Sequence, residues 1–124
     1  MSTPFTFQTT NTILYCQRWA ETVAFYRQVL ALPIMVETHW FVEFILTDMA
    51  RLSIADERRA TVKSSGGAGI TLTFQVDDIV AAWQRVADGG GAPGPVRRHA
   101  WGAQVFYLHD PESHRLEFWS PTVA

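Results

Sequence analysis

The chain has 124 residues, 48% of them hydrophobic and 18% charged, with a formal net charge of −2. A chain of that length can bury roughly two-thirds of its unfolded surface, so one domain needs neither metal nor disulfide staples, and its composition excludes a disordered or fibrous chain. The slight acidic excess argues against nucleic acid or an anionic membrane as main partner, and the pairs Arg58-Arg59 and Arg97-Arg98 are too few for a nucleic-acid footprint. They read as solvated loops or strand ends. No stretch is apolar enough to span a bilayer, and the start lacks the basic-then-apolar pattern of a signal peptide, so a cytoplasmic location is the expectation. The single cysteine, Cys16, permits no internal disulfide. It falls in an expected strand as a small buried hydrophobe; a nucleophilic role would require a base beside it.

In chain order, Thr12 to Gln17 reads as a first strand. A helix over Ala20 to Leu30 follows, with Val23, Tyr26 and Leu30 on one face, widened by Phe25 and Val29, and Pro33 closing it. Three strand-like runs come next, Ile34 to Thr38, Trp40 to Leu46 and Arg51 to Asp56, with a turn near Thr47-Asp48. Glu57 to Gly69, carrying ERR and then SSGGAG, reads as a flexible connection. The pattern then restarts. Ile70 to Val76 alternates cleanly, Asp77 or Asp78 can N-cap a helix carrying Ile79, Ala82, Trp83 and Val86 on one face, and Gly89-Gly90-Gly91 ends it. Pro95 to His99, Gly102 to His109 and His114 to Trp119 supply three further strands.

The order is strand, helix, strand, strand, strand, twice over, and two copies are too few to stack as a solenoid. The fold class is therefore α+β: two βαβββ modules, each a curved mixed sheet with one helix on its outer face, forming a central cleft. The chain is expected to be a single domain, with module one at about 11–57, a linker at about 58–69 and module two at about 70–120. Alternation assigns to the uncovered sheet faces Asn11, Ile13 and Tyr15; Arg51, Ser53 and Ala55; Thr71, Thr73 and Gln75; and Arg115, Glu117 and Trp119.

The C-terminal run FYLHDPESHRLEFW, Phe106 to Trp119, reads as a hairpin around Asp110-Pro111. Pro presets φ and Asp can bond back to the backbone, which favours a type I turn. Glu117 then stands in an otherwise apolar strand, where a carboxylate is exposed, paired or held for chemistry.

The two-fold order, the helix ending FYRQVLALP and the C-terminal DPESHRLEFW together resemble the vicinal oxygen chelate superfamily, from about Asn11 to Trp119. That group includes glyoxalases, extradiol dioxygenases and the fosfomycin- and bleomycin-resistance proteins. The specific signal is Asp-Pro with Glu six residues after the proline at the end of a second module. In the metal-dependent members the ligands come from the first and last strands of each module. The resemblance carries those positions onto Asn11, Ser53, Thr71 and Glu117, and only Glu117 is a usual ligand. An amide, two hydroxyls and one carboxylate would not hold Zn, Ni or Fe against water, so no metal cofactor is expected. His114 and Ser113 stand where the family often has Asn and Gly, so the turn lacks its usual φ > 0 residue. His109 and His114 are expected in solvent at a sheet end; His39 shares a side with Glu43 only if no turn intervenes. His99, beside Trp101, is the imidazole best placed for function.

Five Trp are present. Trp83 belongs to a helix face and core, and Trp19 covers a helix start. Trp40, Trp101 and Trp119 are placed on strands, with Trp40 and Trp101 in comparable positions of the two repeats. They serve either sheet packing and a dimer interface, or a cleft walled by flat aromatic faces. The second use matches the metal-free bleomycin-resistance branch, whose members are dimers that sequester a drug.

The expectation is a metal-independent, homodimeric binder of a small, partly aromatic or cationic molecule. Its ligand-binding set is Asn11, Tyr15, Ser53, Thr71, Thr73, Gln75, His99, Trp101, Glu117 and Trp119. Two alternatives stand beside it. One is an enzyme in which Glu117 is the catalytic group, as metal ligand or as a general base raised by burial. The other is a protein-interaction module.

Overall fold

The computed structural model describes residues 3–122. Strand β1 (Thr10–Cys16) leads into helix α1 (Trp19–Ala24), which continues as a wider π-helical turn over Phe25–Val29. Strands β2 (Ile34–Glu37), β3 (Phe41–Thr47) and β4 (Ala50–Asp56) complete the first module. After a short 3-10 turn at Glu57–Arg59, the second module repeats the order with β5 (Thr71–Gln75), α2 (Ile79–Asp88), β6 (Arg97–His99), β7 (Ala103–His109) and β8 (Arg115–Pro121). Each module forms one four-stranded mixed sheet, ordered β1-β4-β3-β2 and β5-β8-β7-β6. The first and last strands of each module pair in parallel, so Ile13 lies opposite Ser53 and Thr73 opposite Glu117. The α+β class and the doubled βαβββ order are as the sequence predicts.

The helices form where expected. Val23 and Tyr26 of the predicted stripe are buried, and the Asp78 carboxylate accepts from the Ala81 amide as an N-cap. The first helix departs from plain α geometry at its end: the Leu30 amide bonds back to the Phe25 carbonyl, and the chain leaves through Ala31 at φ +53° before Pro33.

Both helices and the covered faces of both sheets feed one apolar cluster. Leu14, Phe44, Leu52 and Ile54 come from the first module; Ile79, Val86, Phe106 and Leu116 come from the second. Each such side chain taken fully from water contributes about 1.5–3 kcal/mol. The modules therefore join through their helix-bearing sides, with Gly89 set directly against the backbone of Val29. Cys16 belongs to this cluster and is fully buried; burial, then the charges of Glu112 and Asp110, push its thiol up to about 12. Among the described residues no helix is long and apolar enough to cross a membrane.

The Asp110-Pro111 turn closes as expected, the Ser113 amide donating to the Asp110 carbonyl at 2.9 Å. Its surroundings differ from the sequence expectation. His114 is 1% exposed rather than solvent-facing. Its Nδ1 lies 2.8 Å from Asp110 Oδ2, which also accepts from the Tyr26 hydroxyl at 2.7 Å. Glu112 reaches the other module, accepting from the Gln17 and Arg18 amides at 2.8 Å each and from the Ser64 hydroxyl. The turn thus clamps the start and middle of the first helix. Ser113 itself takes φ +73°, so the missing glycine changes the strain and not the geometry.

The connection expected to be flexible is held at several points. Ser64 donates to Glu112, Lys63 Nζ bonds the Glu57 and Ala60 carbonyls, and Gly67 lies against the Ser113 backbone. Its Gly and Ser residues supply close approach and hydroxyl donors, uses that composition alone does not separate from disorder.

Candidate functional site

Each sheet has one face turned away from the helices, and the predicted site residues divide between these two open faces. On the first sheet, Asn11, Ile13 and Tyr15 of β1 line up with Arg51, Ser53 and Ala55 of β4. The Ser53 hydroxyl donates to Asn11 Oδ1 at 2.7 Å. Beside them Glu43 of β3 forms an ion pair with Arg51 at 3.5 Å, both side chains largely buried. The tight turn between β2 and β3, with the Thr38 amide on the Phe41 carbonyl, holds His39 and Trp40 off the strands, so His39 does not share a strand face with Glu43.

The second sheet carries the denser constellation. Antiparallel pairing around the Asp-Pro turn sets Tyr107 directly opposite Glu117, and parallel pairing sets Thr73 on its other side. The Tyr107 hydroxyl donates to Glu117 Oε2 at 3.0 Å. Burial, then this bond and the Glu117 charge, raise the Tyr107 phenol above its ordinary value, so it stays a donor at neutral pH. The Arg115 guanidinium lies 4.9 Å from the Tyr107 ring centroid, and its Nε donates to the Thr71 hydroxyl at 3.1 Å. An aromatic run continues along the face: the His99 ring stands 6.5 Å from Tyr107 and 5.9 Å from Trp101, which meets Trp119 edge-on at 5.5 Å. Trp101 is 59% exposed, so its ring offers a free surface. Like Trp40, it occupies a hairpin turn, between β6 and β7; the repeat correspondence of the two holds, but neither lies on a strand.

The structure therefore brings together Thr71, Thr73, Gln75, His99, Trp101, Glu117 and Trp119 on one face and Asn11, Tyr15 and Ser53 on another. The described hydrogen bonds, ion pairs and ring contacts of these faces all stay within one sheet. Within a single chain the cleft-forming faces remain open. Sequence reasoning missed Tyr107 as the partner of Glu117, because the register is centred on Glu112, with His109 opposite Arg115, whereas pairing outward from a four-residue Asp110–Ser113 turn would have set Phe106 there. It also missed the Glu43–Arg51 pair, which depends on the register of β3 on β4.

A metal at the superfamily's ligand positions finds a poor donor set. Asn11 Oδ1 already accepts from the Ser53 hydroxyl, Thr71 accepts from a guanidinium, and one oxygen of Glu117 is engaged by Tyr107. These residues do not fit a metal ion. Among the described residues no three of His, Cys, Asp and Glu come together as a ligand group.

A family model, described as the Glyoxalase/Bleomycin resistance protein/Dioxygenase superfamily, matches residues 8–118. The chain belongs to that superfamily. Its fold recurs in a solved glyoxalase/bleomycin resistance protein/dioxygenase from Nocardioides, at 17% identity over 98% of this chain and 87% of that one, with a TM-score of 0.77. It also recurs in TnmS3, an antibiotic binding protein from Streptomyces sp. CB03234, at 14% identity, 98% and 100% coverage and a TM-score of 0.77. A lactoylglutathione lyase from Agrobacterium tumefaciens shares 18% identity over 95% and 96% of the two chains, with a TM-score of 0.74. No curated protein matches the sequence. Within the superfamily the fold accommodates both binding and catalysis, so the open-face chemistry has to carry the functional reading.

Proposed function

We propose that the chain is a cytoplasmic, metal-independent protein that binds, and thereby sequesters, a small, partly aromatic cationic molecule. The observation carrying this reading is the constellation around Glu117. The carboxylate is oriented by Tyr107 and stands at one end of a face formed by His99, Trp101 and Trp119. Flat aromatic faces hold a planar cation by stacking and by their quadrupole, and the carboxylate supplies the counter-charge. Thr71, Thr73 and Gln75 would orient the ligand from the neighbouring strand. Likeness of fold to an antibiotic binding protein is in keeping with this use.

The functional unit we propose is a homodimer, in which the first-sheet face of one protomer, with Asn11, Tyr15 and Ser53, covers the second-sheet face of its partner. Exposed Ile13, Val36 and Trp101 give those faces apolar area to bury. A monomer in sedimentation equilibrium at high micromolar concentration would remove this part.

The binding test uses Trp fluorescence titration with N-methylquinolinium and its neutral isostere 1-methylnaphthalene. Glu117→Gln is expected to weaken the cation about tenfold, or about 1.4 kcal/mol, while leaving the neutral probe within twofold. Trp101→Ala weakens both. Equal losses of both probes in Glu117→Gln would sink the charge role.

A further inference from the structure

A second concavity lies beside the open face of the second sheet, at the junction of the modules. Its volume is about 460 Å³, within the roughly 300–1,000 Å³ usual for small-molecule sites. Leu30, Leu46, Phe74, Val86 and Phe118 wall it, and the exposed Arg85 of α2 stands among the lining residues. Leu30, Leu46, Phe74 and Phe118 are only half-buried although they pack on the core cluster. Apolar side chains from both modules line it. Arg85 forms no ion pair among the described residues, and the nearby Asp88 carboxylate already accepts from Gln84.

We infer that this junction groove is a binding site for a medium-sized apolar monocarboxylate, its hydrocarbon body between Leu30, Leu46 and Phe118 and its carboxylate on Arg85. Burial against the half-covered side chains supplies the affinity, and Arg85 selects an acid over the corresponding alcohol. Thr73 and Gln75 border both this groove and the open face, so the two sites are neighbours with separate recognition chemistry. The site would be occupied independently of the ligand bound around Glu117.

The experiment is isothermal titration of the full chain with decanoate and, separately, with decanol. Wild type is expected to take one decanoate per chain, more tightly than decanol, with the preference shrinking as salt is raised. Arg85→Gln should weaken decanoate about threefold to fivefold, as for an exposed charge pair, and leave decanol within twofold. Ala82→Phe, which puts a ring into the groove from α2, should abolish both. Neither substitution should change binding of N-methylquinolinium, and decanoate should not displace that probe. No decanoate binding by wild type at low millimolar concentration, or binding unmoved by both substitutions, would overturn the proposal.

Discussion

Glu112 offers the sharpest test of how the modules are held together. Its carboxylate is 5% exposed and accepts from two backbone amides at the entry to α1 and from the Ser64 hydroxyl. Hydrogen bonds to a charged group contribute about 1.5–3 kcal/mol each when buried, but Gln17 and Arg18 lie at exposed positions where water replaces part of the loss. Glu112→Ala is therefore expected to cost about 3 kcal/mol, a fall in Tm of roughly 10 °C. Glu112→Gln keeps one acceptor oxygen and should cost roughly half as much. Burial by itself would raise the Glu112 pKa; bonds from Ser64, Gln17 and Arg18, with His114 nearby, outweigh it and hold the pKa below its ordinary value. The folded value is depressed, so the stabilisation is present above the unfolded pKa of about 4.3 and is lost as pH falls through the folded one. Urea unfolding from pH 7 downward should show the wild type approaching Glu112→Gln as the solution becomes acidic. An alanine variant within about 0.5 kcal/mol of wild type, or a Gln difference that does not shrink in acid, would refute the clamp.

Other expectations follow from the same turn and core. Ser113→Gly removes the cost of a side chain at φ +73° and should stabilise by about 0.5–1 kcal/mol; a loss in the urea midpoint would contradict it. Gly67→Ala should do the opposite, because φ is +82° and an added Cβ would sit 2.1 Å from the Ser113 carbonyl oxygen; a drop of more than about 2 kcal/mol in urea unfolding is expected, and a variant as stable as wild type would contradict it. Cys16, buried and with its thiol raised to about 12, should resist an aromatic disulfide reagent at pH 8 and react in full once urea unfolds the chain. Native-state labelling within minutes would show that the first strand opens.

Much of the fold was legible because its signals are local. Alternation in β5 and β8 placed Thr71, Thr73, Gln75, Glu117 and Trp119 on one face, and the structure keeps them there. The Asp78 cap and the glycine run bracketed α2 to within a residue or two. His114 was misplaced for the converse reason. Next to a polar turn it reads as solvent-facing, and only the approach of Tyr26, 84 positions from Asp110, buries the cluster.

By itself the sequence determined the doubled order of elements, the two faces of each strand and the position of the Asp-Pro hairpin. Those follow from periods of two and 3.6 residues and from φ preferences, which act over a turn or two of chain. Only the tertiary structure decided that the modules join through their helical sides, that Glu112 bonds an amide 95 residues away, and that the linker is held against the turn. Tyr107 reaches Glu117 by pairing, and Glu43 reaches Arg51 in the same way. These contacts depend on which surfaces meet once the apolar faces are buried together, and burial is non-directional: it requires that the faces meet without specifying in the linear pattern which residues touch.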